Sequence, residues 1–173
     1  RTPLAEYRTQ HRGGVGAKAS AARDEDFIEY VHQANMHSTM MFFTEQGRLY
    51  WTKVYELPEG NRQSKGRALQ NMINIQKGDK VCAFIHVKNL NDMEYVQNHY
   101  LIFATKDGLM KKTTLESYSR PRANGIIALG LREGDRLIRV TLTDGNSQML
   151  VASYNGKVVR FPEDTVRPMG RTA

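Results

Sequence analysis

Residues 100–108 read Tyr-Leu-Ile-Phe-Ala-Thr-Lys-Asp-Gly, so an apolar run is followed at once by an Asp-Gly turn. An Asp-Gly pair between apolar runs is a strong short-range signal for a β-hairpin, because glycine tolerates the positive φ that the turn requires. Asn155-Gly156 and Gln46-Gly47 interrupt apolar runs in the same way. The sequence therefore predicts a series of hairpins, and no stretch of helical length carries an amphipathic stripe.

The predicted hairpins are copies of one repeating unit. Their turn glycines are 61 and 48 residues apart. A second motif, Gly78-Asp79, recurs 56 residues later as Gly134-Asp135. Each copy follows an apolar segment, residues 68–75 in the first repeat and 125–131 in the second, and we predict both segments to be strands. A unit of about four strands in about 50 residues is typical of a propeller-like array of small sheets.

These features predict an all-β fold and divide the chain into an arm and a series of blades. The arm is basic and rich in Gly and Ala, and it lacks apolar periodicity. Because the chain opens with Arg1 and the third repeat stops half-way, we expect it to be a piece of a longer protein. The predicted boundaries are 1–26 for the N-terminal arm and 27–173 for the blades, with 27–90 as the first, 91–147 as the second and 148–173 as the start of a third.

The charge balance indicates a polyanionic partner. Lys and Arg number 25 against 18 Asp and Glu, a net charge of +7. Such a balance favours nucleic acid or an anionic membrane surface. No apolar run approaches the ~20 residues of a membrane helix, and a single cysteine, Cys82, excludes an internal disulfide. The residue pattern predicts no catalytic constellation, no metal site and no cofactor.

Basic residues follow each hairpin turn and recur in the loops after it. If blades stack around an axis, such positions form a belt that binds phosphates along a curved path. The alternative is that they are ordinary solvated charges. We expect Lys111, Lys112 and Arg160 to be exposed, so that their joint replacement by alanine weakens phosphate binding without unfolding. The predicted belt comprises Arg48, Lys53, Lys65, Arg67, Lys111, Lys112, Arg120, Arg122, Arg160, Arg167 and Arg171.

The arm contains an unusual segment, residues 10–16, which read Gln-His-Arg-Gly-Gly-Val-Gly. Its glycines let the backbone adopt positive φ and approach another surface closely. With Lys18 nearby, the segment could clamp a phosphate, or it could be a plain linker. It is not a P-loop, because it lacks the Gly-Lys-Ser/Thr ending. The candidate phosphate-binding residues here are Gln10, His11, Arg12, Gly13, Gly14, Gly16 and Lys18.

Residues 10–16, called the box segment below, resemble the Gln-Arg-Arg-Gly-Gly-Lys/Arg-Gly box of the DNA gyrase A family. Other segments are similar to the blades of that family's C-terminal domain. The first blade is matched by residues 42–58 and 65–71, the second by 125–135 and the third by 160–171. The sequence departs from the box at His11 and Val15, where a basic residue is usual. Charge in the box segment is therefore lower at pH 7.

The resemblance implies a β-pinwheel, a propeller-like ring of usually six four-stranded blades that exchange strands, of which this chain holds about two and a half. It implies that duplex DNA bends around the basic rim, and that the box segment fastens the wrap with positive handedness. It further implies a bacterial, cytoplasmic enzyme in which gyrase A joins gyrase B in an A2B2 assembly. Cleavage, ATP hydrolysis and magnesium binding then reside outside this chain, which has no catalytic residues and no membrane partner.

Two other functions stay open. The C-terminal domain of topoisomerase IV has a similar fold but lacks the box, and a protein-interaction propeller would bind an acidic partner instead. We also expect open blade edges to promote self-association, because unpaired strand edges invite pairing.

Overall fold

The computed structural model describes residues 1–16 and 27–173. Nine strands account for most of the regular structure, together with one short α-helix and several single turns of 3-10 helix. Each sheet contains one hairpin of consecutive strands, because the strands are short and separated by tight turns. The strands are β1 (Thr39–Thr44), β2 (Arg48–Lys53), β3 (Val81–Val87), β4 (Tyr100–Thr105), β5 (Met110–Thr114), β6 (Ile126–Ile127), β7 (Leu137–Thr143), β8 (Gln148–Ala152) and β9 (Val158–Pro162), and the helix is α1 (Met93–Asn98).

The strands form three antiparallel sheets, one for each repeat. Their orders are β3-β1-β2-β6, β5-β4-β7 and β8-β9. Strand β6 comes from the second repeat but pairs with β2 of the first, with Ile126 opposite Leu49. This pairing is the strand exchange between blades that the resemblance implies. The all-β, pinwheel-like architecture is confirmed.

The three hairpins share one turn geometry. In each, the turn glycine has positive φ and its N–H donates to the carbonyl three residues earlier, at 2.9–3.1 Å. The hydroxyl of that earlier residue, Thr44, Thr105 or Ser153, accepts a backbone N–H from four residues ahead. The sequence alignment of the three turns is therefore correct at the level of individual hydrogen bonds.

The recurring Gly-Asp motif fastens the third strand of each full blade to its hairpin. Asp79 accepts the backbone N–H of Gln46 at 3.2 Å. Asp135 accepts that of Asp107 at 3.1 Å. Because each aspartate caps a turn that is distant in sequence, the two motifs recur together in the first two repeats.

The two apolar segments before the Gly-Asp motifs are largely not strands, which corrects the prediction. Residues 68–75 contain a 3-10 turn, Leu69–Asn71, and no strand, while 125–131 contributes only β6. The difference has a physical reason, since β6 finds a pairing edge on the preceding blade whereas 68–75 has no preceding blade among the described residues. Gly125 lets β6 approach closely, because its φ is 66° and a Cβ there would lie 2.6 Å from the Leu49 carbonyl oxygen.

The core lies between the first two blades. The odd-numbered side chains Met41 and Phe43 of β1 pack with Leu101 and Phe103 of β4, and all four are fully buried. Tyr118 closes this core, donating its hydroxyl to the Ala128 carbonyl at 2.8 Å. The opposite face of the first blade forms a second, smaller cluster of Met40, Phe42, Tyr50, Val54 and Ile73.

The third repeat has only the β8-β9 hairpin, and its outer face is open. Leu150 is 68% exposed and Val158 is 60% exposed. Self-association through this face stays a prediction. Within residues 1–16 and 27–173, no helix combines the length and the apolar character needed to cross a membrane.

Candidate nucleic-acid interface

The box segment forms a tight turn on the surface. The Gly14 N–H donates to the His11 carbonyl at 3.0 Å, and Gly13, at the third position of this turn, has a φ of 85°. A positive φ at that position is what a type II turn requires. A Cβ on Gly14 would lie 2.7 Å from Gln10 Oε1, so the second glycine makes room for the glutamine. Gln10, His11, Arg12 and Gly16 are exposed.

A cationic cleft lies between the outer parts of the first and second repeats. It has a volume of about 670 Å³ and is lined by three cations, Lys53, Arg67 and Arg122, and one carboxylate, Glu56, with Trp51 at its wall. Arg67 and Arg122 are exposed, while Lys53 is half-buried and donates to the His37 carbonyl at 3.2 Å. The structure therefore brings together three predicted belt residues that are 14 and 55 positions apart along the chain. Such a cluster can hold phosphate oxygens.

Two predicted belt arginines donate hydrogen bonds to the segment around the exchanged strand. Arg48 Nη2 donates to the Asn124 carbonyl at 3.2 Å, and Arg171 Nη1 donates to the Ile127 carbonyl at 2.6 Å. Both arginines are half-buried. They contribute to the junction between repeats as well as to the surface charge.

The expectation that Lys111 and Lys112 are exposed is wrong. Lys111 is 7% exposed and Lys112 is 4% exposed. Residues of the third repeat cover them, since Met169 donates its N–H to the Lys112 carbonyl and Lys111 Nζ donates to the Arg171 carbonyl. Burial, with the Arg171 charge as a smaller cause, lowers the pKa of Lys111 to about 8.

Lys112 forms a buried ion pair that links the second and third repeats. Its Nζ lies 3.0 Å from Glu163 Oε1, and the two side chains are 5% and 0% exposed. Thr143 donates its hydroxyl to the same carboxylate oxygen at 2.6 Å. Burial on its own raises the pKa of Glu163, but the hydrogen bonds from Thr143, Lys112 and the Ser147 amide hold that pKa below its usual value.

In the first two blades, the position four residues after the turn glycine faces the next repeat. Trp51 occupies it in the first blade and donates Nε1–H to the Tyr118 carbonyl at 3.1 Å. Lys112 occupies it in the second blade, opposite Ile102, and Arg160 occupies it in the third, opposite Leu150. Arg160 is exposed because no further repeat covers it among the described residues. In the first two blades this position therefore packs between repeats, whereas Arg160 stays an exposed candidate for the belt.

The remaining predicted belt residues lie on the surface. The described chain thus keeps an exposed basic surface even without Lys111 and Lys112. Lys18 falls outside the described residues. The exposed members beyond the cleft are Lys65, Arg120, Arg160 and Arg167.

Sequence reasoning missed three acidic roles. Nothing in the local sequence marks Glu163, because its partner lies on another repeat 51 residues earlier. Asp79 and Asp135 carried a signal in the recurrence of Gly-Asp after the first two hairpins, although their hydrogen bonds to the turns were not predicted.

The chain matches the family model described as DNA gyrase C-terminal domain, β-propeller, over residues 1–35, 38–88, 99–144 and 148–173. It is 44% identical over 171 residues to the DNA gyrase A protein of Haemophilus influenzae, an alignment that covers 99% of this chain and 19% of that protein. It is 39% identical over 173 residues to the corresponding protein of Halalkalibacterium halodurans, covering 100% of this chain and 20% of that protein. The chain therefore spans about a fifth of the length of these relatives.

Two solved structures share the fold. The C-terminal domain of DNA topoisomerase IV superposes with a TM-score of 0.80 at 25% identity, covering 99% of this chain and 50% of that one. The DNA gyrase A C-terminal domain superposes with a TM-score of 0.64 at 17% identity, covering 98% and 53%. The fold is common to both enzymes, and the sequence relatives decide between them. The family match includes the box segment and most of all three repeats, so this chain belongs to the DNA gyrase C-terminal domain family of β-propellers.

Proposed function

We propose that this chain binds duplex DNA without sequence preference and wraps it, as the C-terminal part of a DNA gyrase A protein. The observation that carries the proposal is the exposed cationic cleft of Lys53, Arg67 and Arg122 in a chain that also bears the box segment. Phosphate contacts position DNA without reading its sequence. The only α-helix among the described residues has six residues, too few to read a groove.

The wrap would confer ATP-dependent negative supercoiling on the whole enzyme. In this proposal the chain contributes binding and bending only, while DNA cleavage, ATP and magnesium belong to the rest of gyrase A and to gyrase B, in a bacterial cytoplasm. The described residues contain no group of three His, Cys, Asp or Glu side chains placed to hold a metal ion.

The topoisomerase IV alternative is weaker because residues 10–16 retain Gln10, Arg12 and the three glycines of the box. The relatives at 39–45% identity are DNA gyrase A proteins. A protein-interaction module would differ in its response to salt and DNA length, and this difference provides the test.

DNA affinity should fall steeply with salt and rise with duplex length. If about six phosphates are engaged, affinity should drop by roughly a thousandfold between 50 and 200 mM salt, because bound cations are released from each contacted phosphate. Gel-shift titrations with duplexes of increasing length measure both effects. Binding that is insensitive to salt and to length would contradict the proposal and favour an interaction with an acidic protein.

The cationic cleft should contribute part of this salt dependence. Replacing Arg67 and Arg122 by alanine should lower the slope of log affinity against log salt by about 2, since each lost phosphate contact removes about 0.9. The double variant Lys88→Ala/Lys157→Ala removes the same charge from exposed positions outside the cleft and is the matched control. Equal loss of slope in both variants would show that the cleft is ordinary surface charge.

A further inference from the structure

Two carboxylates lie where the N-terminal arm meets the first blade. Glu59 Oε2 is 2.7 Å from Arg1 Nη1, and the Arg1 side chain is only 23% exposed. Glu6 Oε2 accepts the backbone N–H of Arg62 at 3.2 Å. These contacts join residues separated by more than 50 positions, so they fix the arm against the loop that follows β2.

Backbone groups reinforce the same junction. Gly60 donates its N–H to the Arg1 carbonyl at 2.8 Å, and Arg1 Nε–H donates to the Leu57 carbonyl at 2.9 Å. Leu4–Glu6 forms a 3-10 turn that presents Glu6 to the loop. The arm is therefore held at both ends of its first six residues by residues 57–62.

The junction limits where the box segment can lie. Gln10 follows Glu6 by four residues, and four extended residues span at most about 14 Å. Residues 57–62 adjoin the cationic cleft, since Pro58 lines it and Arg67 follows five residues after Arg62. The contacts thus keep the box segment within reach of the cleft.

We infer that Glu6 and Glu59 are positioning residues, which hold the box segment beside the cationic cleft so that DNA leaving the cleft meets it. The inference rests on the proposed function. Carboxylates beside a phosphate-binding surface repel the ligand, so electrostatics alone would favour their removal. A positioning role predicts instead that removing the carboxylates weakens wrapping, because the order of contacts along the DNA depends on the placement of the arm.

The test compares the double variant Glu6→Ala/Glu59→Ala with Glu94→Ala/Glu133→Ala in full-length gyrase A, assembled with gyrase B. Glu94 and Glu133 are exposed carboxylates of the second repeat, so the control makes the same change of charge. Two quantities are measured for each protein: affinity for linear duplex DNA at fixed salt, and the linking-number change left in nicked circles that are ligated after binding. Thermal unfolding of each variant checks that the fold is retained.

We expect the Glu6/Glu59 variant to bind linear DNA at least as tightly as the unchanged protein but to lose about fivefold to tenfold in linking-number change, because it lacks one ion pair and one hydrogen bond between the arm and the loop. The control should keep its full linking-number change. Equal linking-number changes in the two variants would overturn the inference. If the unchanged protein itself left the linking number unaltered, the proposed wrapping function would fail instead, and the two failures are distinct.

Discussion

Replacing Lys112 by alanine is expected to destabilise the chain by about 3–5 kcal/mol, because the change leaves the buried Glu163 carboxylate without its cation. The pair spans the second and third repeats, with both side chains at most 5% exposed. The loss should therefore uncouple the third repeat from the second as well as lower global stability. Urea unfolding of the variant and the unchanged chain, followed by circular dichroism, measures the difference.

Arg160→Ala is the matched control for this experiment. Arg160 occupies the same hairpin position in the third repeat but is exposed, so its replacement should change stability by no more than about 0.5 kcal/mol. A second variant, Lys112→Met/Glu163→Gln, removes both charges together and should cost clearly less than the single Lys112 change. If Lys112→Ala were as harmless as Arg160→Ala, the ion pair would be without structural importance.

The pH dependence of stability provides an independent check on the same pair. Because folding lowers the pKa of Glu163 from its ordinary value of 4.5, its contribution to stability is present above that value and is lost as the pH falls through the folded-state pKa. The unchanged chain should therefore lose more stability in this acidic window than Glu163→Gln does. Urea unfolding at a series of pH values from neutral to acidic compares the two proteins.

Much of this fold could be predicted from local sequence, because hairpin turns carry their own signals. Gly47, Gly108 and Gly156 mark three turns whose hydrogen bonds proved equivalent. Residues 68–75 could not be assigned correctly in the same way, since an apolar run becomes a strand only where a neighbouring edge is available. Residues 126–127 have such an edge on β2, whereas residues 68–75 have none within the described part of the chain.

The candidate site was predictable in composition but not in arrangement. Spacing from the turns identified Lys112 and Arg160 as equivalent, but the contacts between repeats determine that one is buried and the other exposed. Arg67 and Arg122 share a cleft only because two loops from different repeats converge. The sequence pattern of one repeat contains no information about that convergence.

Replacing residues 10–16 with alanines should abolish ATP-dependent negative supercoiling by the full enzyme while leaving relaxation intact. The segment has one fully charged side chain, Arg12, so its loss should lower DNA affinity only modestly. Bending duplex DNA costs on the order of several kcal/mol, and contacts at the end of the arc must balance that cost. Alanine at Gly13 would also strain the turn, whose φ is 85°.

The assay uses full-length gyrase A with gyrase B, on relaxed and on supercoiled plasmid. Relaxation should survive, because strand passage does not require a wrapped segment. The double variant Lys88→Ala/Lys157→Ala removes charge outside the arm and should supercoil normally. Supercoiling at the unmodified rate in the box variant would show that residues 10–16 are only a linker.

Wrapping of DNA with a defined hand is the property on which the proposed function depends. It can be measured as the linking number of nicked circular DNA that is ligated in the presence of gyrase A and gyrase B, without ATP and at low salt. We expect a positive linking-number change that grows with the amount of protein and disappears in the variant with alanines at residues 10–16. A linking number that stays unchanged at saturating protein, or shifts equally in that variant, would contradict wrapping by this chain.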